Sequence, residues 1–224
     1  MCGRFSIIIP FSDLLEFFKP IVFPIYPTEY LEPRYNIAPS QMIPTIVNND
    51  QRQLDFMRWG LIPHWAKDIN IGSKMINARA ETLDEKPSFK HLLKRKRCLI
   101  PADGFYEWRH EGKIKRPFRI TLKSEEPFAF AGLWDTWKTP TGEEIKSCSI
   151  ITTIPNTLMA NIHDRMPVIL SRDAEELWLD NGIEDNALLK SILVPYDAGL
   201  MRAYEISSLV NSPKNNISEI IKAV

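Results

Sequence analysis

Glycine is scarce in this chain, at nine of 224 residues, which is few for a protein built on tight hairpins. Cysteine is scarcer, at three. Cys2, Cys98 and Cys148 form no CxxC and no pairing pattern, so free thiols in a reducing compartment are expected. Net charge is missing altogether: 28 basic residues balance 28 acidic ones. That argues against coating nucleic acid through bulk charge, while leaving room for a local basic groove. No apolar run approaches the roughly 18 residues needed to span a membrane. The first residues carry no charged segment leading into an apolar stretch, so no signal peptide is expected and the chain is placed in the cytoplasm. G-x-G-x-x-G and G-x-x-x-x-G-K-[ST] loops are absent, which leaves nucleotide binding without support. The four histidines, His64, His91, His110 and His163, show no HxxxH or HExxH spacing and no accompanying cysteine pair, so neither a metal nor a cofactor is expected. A Ser-His-Asp hydrolase lacks its G-x-S-x-G elbow.

What is present reads as a soluble globular chain, 44% hydrophobic and 25% charged, of a length that suits one domain. No repeat, low-complexity tract or composition break divides it. Ser12 to Phe18 reads as a short helix capped by Ser12. Phe23 to Pro39, rich in proline and aromatics, reads as a long ordered loop. Strand-like runs follow at Met42–Val47, Leu54–Leu61, Arg97–Ile100, Phe105–Trp108, Pro117–Leu122, Phe128–Leu133 and Ile145–Thr153. Helical patterns lie at Ser88–Lys94, Asn156–Ile162, Ala174–Leu179 and Glu184–Leu193. Many short strands with a few interspersed helices predict an α+β fold around a barrel-like or sandwich sheet. Cys98 and Cys148 sit in apolar runs and are expected to be buried structural thiols.

The chemistry begins at the first residues, Met1-Cys2-Gly3-Arg4-Phe5. A small residue after the initiator Met allows its removal, which would leave Cys2 with a free α-amine beside its thiol. These groups have ordinary pKa values of about 7.7–8.0 and about 8.5, so both are partly nucleophilic near neutral pH. Such a 1,2-aminothiol forms an imine with an aldehyde, and its sulfur then closes a thiazolidine. It is equally an N-terminal nucleophile carrying its own base; the plain alternative is an ordinary cysteine at a frayed end. Glu107, between Tyr106 and Trp108, is a carboxyl among aromatics suited to general acid/base work, or else an outward-facing strand residue. His163 is a proton shuttle if a nucleophile lies near it, and otherwise a structural histidine. Asn77 is placed to orient an amine or an oxyanion, or to cap a turn. Arg79 and Arg165, and Arg4 beside Cys2, have forks that suit phosphate, with salt-bridged surface arginines as the ordinary alternative. Lys94-Arg95-Lys96-Arg97 reads as a phosphate patch or as the solvated end of a helix.

Several segments, in order, resemble one family. They are Met1-Cys2-Gly3-Arg4-Phe5, Tyr35-Asn36-Ile37-Ala38-Pro39, Arg58-Trp59-Gly60-Leu61-Ile62-Pro63-His64-Trp65, Asn77-Ala78-Arg79-Ala80-Glu81-Thr82 and Arg97 through Trp108. Ala131-Gly132-Leu133-Trp134, Ile162-His163-Asp164-Arg165-Met166-Pro167 and Val210-Asn211-Ser212 complete the set. Together they resemble the SRAP family, the SOS response-associated peptidases, from residue 1 to about residue 212. A single domain over 1–224 is expected, with 213–224 a less characteristic tail. The resemblance implies a barrel-like, mostly antiparallel β core with peripheral short helices. It implies removal of the protein's own Met1 and capture of abasic sites in single-stranded DNA during the DNA damage response. Cys2 would be the nucleophile, Asn77 would hold its amine, Glu107 would serve as acid/base and His163 would move protons, with Thr152 supporting His163. Arg4, Arg79 and Arg165 would grip phosphates; Trp59, Trp65 and the Pro39 region would stack against bases. The implied partners are single-stranded DNA with abasic sites and the replication machinery, and the protein would act as a monomer. Two other readings compete: a thiol amidohydrolase or peptidase acting in trans, and a non-catalytic single-strand binder.

Overall fold

The structure is a computed structural model that describes residues 2–20, 22, 28–30, 32–48 and 50–224. Met1, and residues 23–27 of the proline- and aromatic-rich segment, lie outside the described residues. The strands are β1 (Phe5–Ile7), β2 (Arg34–Ile37), β3 (Met42–Asn48), β4 (Arg52–Trp59), β5 (Asn77–Arg79), β6 (Arg97–Ala102) and β7 (Gly104–Glu111). They continue with β8 (Ile114–Leu122), β9 (Phe128–Lys138), β10 (Glu144–Thr153), β11 (Met166–Pro167), β12 (Ile169–Leu170) and β13 (Met201–Glu205). The helices are short: α1 (Phe11–Phe18), α2 (Leu92–Arg95), α3 (Arg172–Leu179) and α4 (Asn186–Ser191).

Two sheets form the α+β core. In the larger one the pairings β10–β4, β4–β3, β3–β6, β6–β9 and β9–β10 close on themselves, making a five-stranded barrel whose β10–β4 contact alone is parallel. Closure explains the sequence of β9, where eight consecutive residues from Phe128 to Asp135 are buried: pairing on both edges and packing on both faces leave it nothing to show solvent. β5, β11 and β12 are appended to this barrel. The second sheet is antiparallel, in the order β13-β8-β7-β1-β2. Phe5 on β1 joins the two. Its ring meets Trp59 of β4 at 5.2 Å and Phe130 of β9 at 5.8 Å, both edge-on, a favoured aromatic geometry.

Gly60 carries the chain from β4 toward β5. Its φ is +123°, and a Cβ there would stand 2.6 Å from the Gly72 carbonyl oxygen, so only glycine fits the turn and the close approach. The Leu61 N–H then donates to the Met75 carbonyl at 3.1 Å, which delivers Asn77 to the edge of β10.

The structure also corrects several local expectations. Helix α1 begins after Pro10, which supplies its first carbonyls; Ser12 lies inside the first turn and bonds to Asp13. The helical pattern at Ser88–Lys94 condenses to α2, and Asn156–Ile162 holds only a single 3-10 turn at Met159–Asn161. Cys98 and Cys148 are fully buried free thiols, as their apolar runs predict. Among the described residues, no helix is long and apolar enough to cross a membrane.

Candidate functional site

The N-terminal segment is built into the protein. β1 lies between β2 and β7, and the Tyr106 N–H donates to the Arg4 carbonyl at 3.0 Å, extending the β1–β7 pairing toward the start of the chain. Cys2 is fully buried, with its thiol directed at the Arg4 carbonyl. Burial pushes that thiol far above its ordinary value, and the neighbouring Glu107 carboxylate adds to the rise. From β5, Asn77 donates its Nδ2–H to the Cys2 carbonyl at 3.0 Å. Its Oδ1 is buried and accepts no hydrogen bond among the described residues. A buried acceptor left open costs free energy, on the order of 1–3 kcal/mol.

Glu107 sits on β7 just past the last β1–β7 pair, at Phe105. Only 2% of it is exposed, and burial pushes its carboxyl up to about 7. It is therefore poised between acid and base at neutral pH. His163 follows the 3-10 turn Met159–Asn161. Its Nδ1 accepts the Arg165 backbone N–H at 3.0 Å, which places the neutral ring's proton on Nε2. The same Nδ1 lies 2.9 Å from a carboxylate oxygen of Asp164, a contact favourable only for the protonated ring. Asp164 is almost wholly in water, and burial lowers the His163 pKa, so the neutral ring is the resting form. Glu107 and His163 share a 410 Å³ cavity with Trp108, His110, Lys115 and Asn211.

The arginines divide. Arg165 makes a two-pronged pair with Glu81 at 2.7 and 2.9 Å and donates to the Thr152 carbonyl at 2.7 Å. Thr152 is fully buried on β10 and meets Arg165. Arg79 is exposed on β5, and its side chain makes no hydrogen bond or ion pair among the described residues, though its charge reaches Glu81. Arg4 spends its fork within the protein, on Asn36 Oδ1 at 2.8 Å and on the carbonyls of Val210 and Asn211 at 2.6 and 3.1 Å. The two tryptophans divide as well. Trp59 is fully buried, its indole N–H on the Ile76 carbonyl at 2.9 Å, so its expected stacking on bases is corrected: the ring is core. Trp65 is half exposed and Pro39 is partly exposed. The basic run is not a patch. Arg97 is buried and donates to the carbonyls of Leu93, Lys94, Trp178 and Asp180, Arg95 pairs with Glu184, and Lys96 lies over the Trp134 ring at 3.7 Å.

Residues outside the predicted set complete the site. Asn36 donates to the carbonyls of Val210, Ser212 and Asn215 at 2.9–3.1 Å. The Trp108 indole donates to Asn211 Oδ1 at 2.7 Å. Thus the chain's C-terminal segment walls the cavity and ties down Arg4. Asn36 and Asn211 stand in two of the segments that carry the family resemblance; His110 and Lys115 carried no signal, because only the β7–β8 register brings them together.

The fold and the site define a class of β-barrel protein in which a buried cysteine near the start of the chain lies beside a carboxyl titrating at about 7, with a histidine on the same cavity. The match to known families agrees: residues 1–213 match the SOS response associated peptidase (SRAP) family, and the chain belongs to it. The abasic site processing protein YoqW of Bacillus subtilis is 55% identical over the whole of both chains. The abasic site processing protein HMCES of Xenopus tropicalis is 33% identical, over 86% of this chain and 67% of that protein. The crystal structure of a Bacteroides thetaiotaomicron protein superposes with a TM-score of 0.89 at 34% identity over the whole of both chains. Another, from Bordetella bronchiseptica, does so at 0.78 and 25% identity, covering 92% of this chain and all of that one.

Proposed function

We propose that this protein processes abasic sites in single-stranded DNA in the DNA damage response, capturing the ring-opened sugar as a thiazolidine on Cys2. The observation that carries the reading is Glu107, a buried carboxyl titrating at about 7 beside the buried Cys2. The abasic-site processing for which relatives such as YoqW are named supports the substrate.

The reaction starts with hydrolysis of the Met1–Cys2 peptide bond: water adds to the Met1 carbonyl and the Cys2 amine leaves. Glu107 takes the proton of the water and returns it to the amine. Asn77 then holds the amine through its open Oδ1 acceptor. The amine attacks the aldehyde of the opened sugar, and Glu107 takes a proton from the attacking nitrogen and returns it to the hydroxyl, which departs as water. An imine remains, and the Cys2 sulfur adds to its carbon while the thiol proton passes to the nitrogen. The net change is loss of one water. A thiol held this far above its ordinary pKa is a poor first nucleophile, which fits amine attack first and sulfur closure second. His163, with its proton on Nε2, serves the ring oxygen of the sugar as it opens. Exposed Arg79 receives a phosphate beside the lesion, Trp65 offers its face to a neighbouring base near Pro39, and Arg165 holds the floor of the site through Glu81 and Thr152.

The test is denaturing mass spectrometry after incubation with a single-stranded oligonucleotide carrying one abasic site. An adduct one water lighter than the sum, mapped to Cys2 and lost in Cys2→Ala, is expected. No adduct, from protein verified to begin at Cys2, refutes the reading and turns the search to amide substrates for an N-terminal nucleophile.

A further inference from the structure

The cavity extends beyond the reacting groups. Glu107 and His163 sit in its wall, and so do His110 and Lys115, which the chemistry above does not use. Glu107 and His110 are three residues apart on β7, about 10 Å along a strand. That leaves room for a sugar at one end and a second group at the other. His110 and Lys115 face each other across the β7–β8 hairpin, one rung before the turn at Gly112, whose φ is +61°. Directly opposed residues have Cβ atoms about 5 Å apart, close enough for both side chains to reach one ligand.

Their side chains are not engaged elsewhere on the hairpin. Arg109 and Arg116, the neighbouring pair on the same hairpin, are neutralised by Glu111 and Glu205 at 2.6–2.9 Å. His110 and Lys115 are exposed, and neither has an ion pair or hydrogen bond among the described residues. The Lys115 ammonium offers a positive charge and the His110 ring an N–H donor to an anion placed between them. The His163 ring, made less basic first by burial, also feels His110, so the subsite and the reacting groups lie within electrostatic reach. Of the six lining residues Glu107 alone is a carboxylic acid, and it stands at the opposite end.

The geometry points to a phosphodiester subsite formed by His110 and Lys115, which takes the backbone phosphate on one side of the captured sugar. This rests on the abasic-site reading and adds to it a directional grip on the strand: Arg79 on one flank, the hairpin on the other. Both residues are exposed, so the double variant His110→Ser/Lys115→Ser is expected to fold with an unchanged Tm.

The experiment measures adduct formation against oligonucleotide concentration and salt, for wild type and double variant. Three strands are used: one with an internal abasic site, one with the site at the 5′ end and one with it at the 3′ end, neither terminal site bearing an outer phosphate. On the internal site the variant should need about five- to ten-fold more oligonucleotide for half-saturation, and its log–log salt slope should fall by about one. On one of the two terminal strands, which already lacks that phosphate, wild type and variant should coincide. Unchanged half-saturation and slope on the internal site would overturn the subsite, as would an equal shift on all three strands. If wild type forms no adduct at all, the proposed function fails separately. Fluorescence anisotropy of an intact single strand then judges the subsite by the same salt slope, with loss of about one supporting it and no change overturning it.

Discussion

Replacing Glu107 with Gln should make the protein more stable and less able to act, by amounts the structure sets. The carboxyl is 2% exposed and burial raises it from 4.5 to about 7. Below pH 4.5 the group is protonated in both folded and unfolded chains and contributes nothing to the difference. Between pH 4.5 and 7 the unfolded chain loses its proton first, so folding is progressively disfavoured as the pH rises. Above pH 7 the cost is complete, at roughly 3 kcal/mol. Gln has nearly the same shape and never ionises. Its advantage should be near zero at pH 4.5, grow through pH 6 and level off by pH 8. For a chain of this size that is roughly 6–12 °C in Tm at pH 8. Urea unfolding of both proteins at pH 4.5, 6 and 8 reads it, after intact mass has identified the first residue of each. The same variant should retain Met1 and form adducts slowly. A stability difference that stays flat across pH, or a variant that loses Met1 and crosslinks at the wild-type rate, would refute the assignment of Glu107.

Three further outcomes follow from the site's geometry. Trp59→Ala should cost about 3–5 kcal/mol in urea unfolding, whereas Trp65→Ala should leave stability within about 0.5 kcal/mol and weaken single-strand binding by about 1–3 kcal/mol; anisotropy and unfolding together separate the two rings. Glu81→Gln breaks the pair with Arg165 at a cost of at most about 1 kcal/mol, because Glu81 is half exposed. The Arg165 hydrogen bond holds the Glu81 pKa down, so this wild-type advantage is present above pH 4.5 and fades as the pH falls; the variant should also bind intact single strands more tightly, since a carboxylate leaves the phosphate path. Asn36→Ala removes the two Nδ2 hydrogens shared among the carbonyls of Val210, Ser212 and Asn215 and the Oδ1 acceptor of Arg4, at a cost of about 2–3 kcal/mol, and limited proteolysis should then cut the C-terminal segment faster than in wild type.

Where local pattern and tertiary pairing agree, the fold is legible in the sequence. The apolar runs of β3, β4, β6, β9 and β10 are long enough to be read as strands before any partner is known; β3, β6, β9 and β10 extend their predicted bounds by one to five residues, and β4 lies two residues earlier than expected. The strands that escape are β1, β2, β5, β11, β12 and β13, most of two to four residues, which exist only because a longer neighbour offers an open edge. Ser12 misleads because a good capping residue lies two places beyond the Pro10 that begins the helix. At the site, Cys2, Asn77, Glu107 and His163 stand out as polar groups in stretches that a core would not want. Trp59 and Trp65 stand in one motif, and nothing in six residues of sequence says which ring ends a barrel strand and which projects from a loop. His110 and Lys115 lie five residues apart across a turn, so only the hairpin register makes them neighbours.

The frayed-end alternative for Cys2 fails on physical grounds, and that failure ties the two ends of the chain together. A terminus frays when few buried contacts hold it. Here Phe5 is clasped by Trp59 and Phe130, Arg4 bonds to Asn36 and to two carbonyls of the C-terminal segment, and Asn77 bonds to the Cys2 carbonyl. Arg4 reads in the sequence as a phosphate grip, yet its fork is already spent on residues more than 200 positions away. With Asn36 it fixes the C-terminal segment against β1 and β2, and that segment supplies Asn211, which holds the Trp108 indole at the cavity wall. Reactivity at the start of a chain needs this kind of construction. Under the proposed function, a 1,2-aminothiol free in water would meet any aldehyde, whereas Cys2, built into the fold, would meet only an aldehyde that can enter the 410 Å³ cavity beside a carboxyl poised near neutrality. Selectivity then comes from the approach to the cavity, and overall charge, which is zero, contributes little to it.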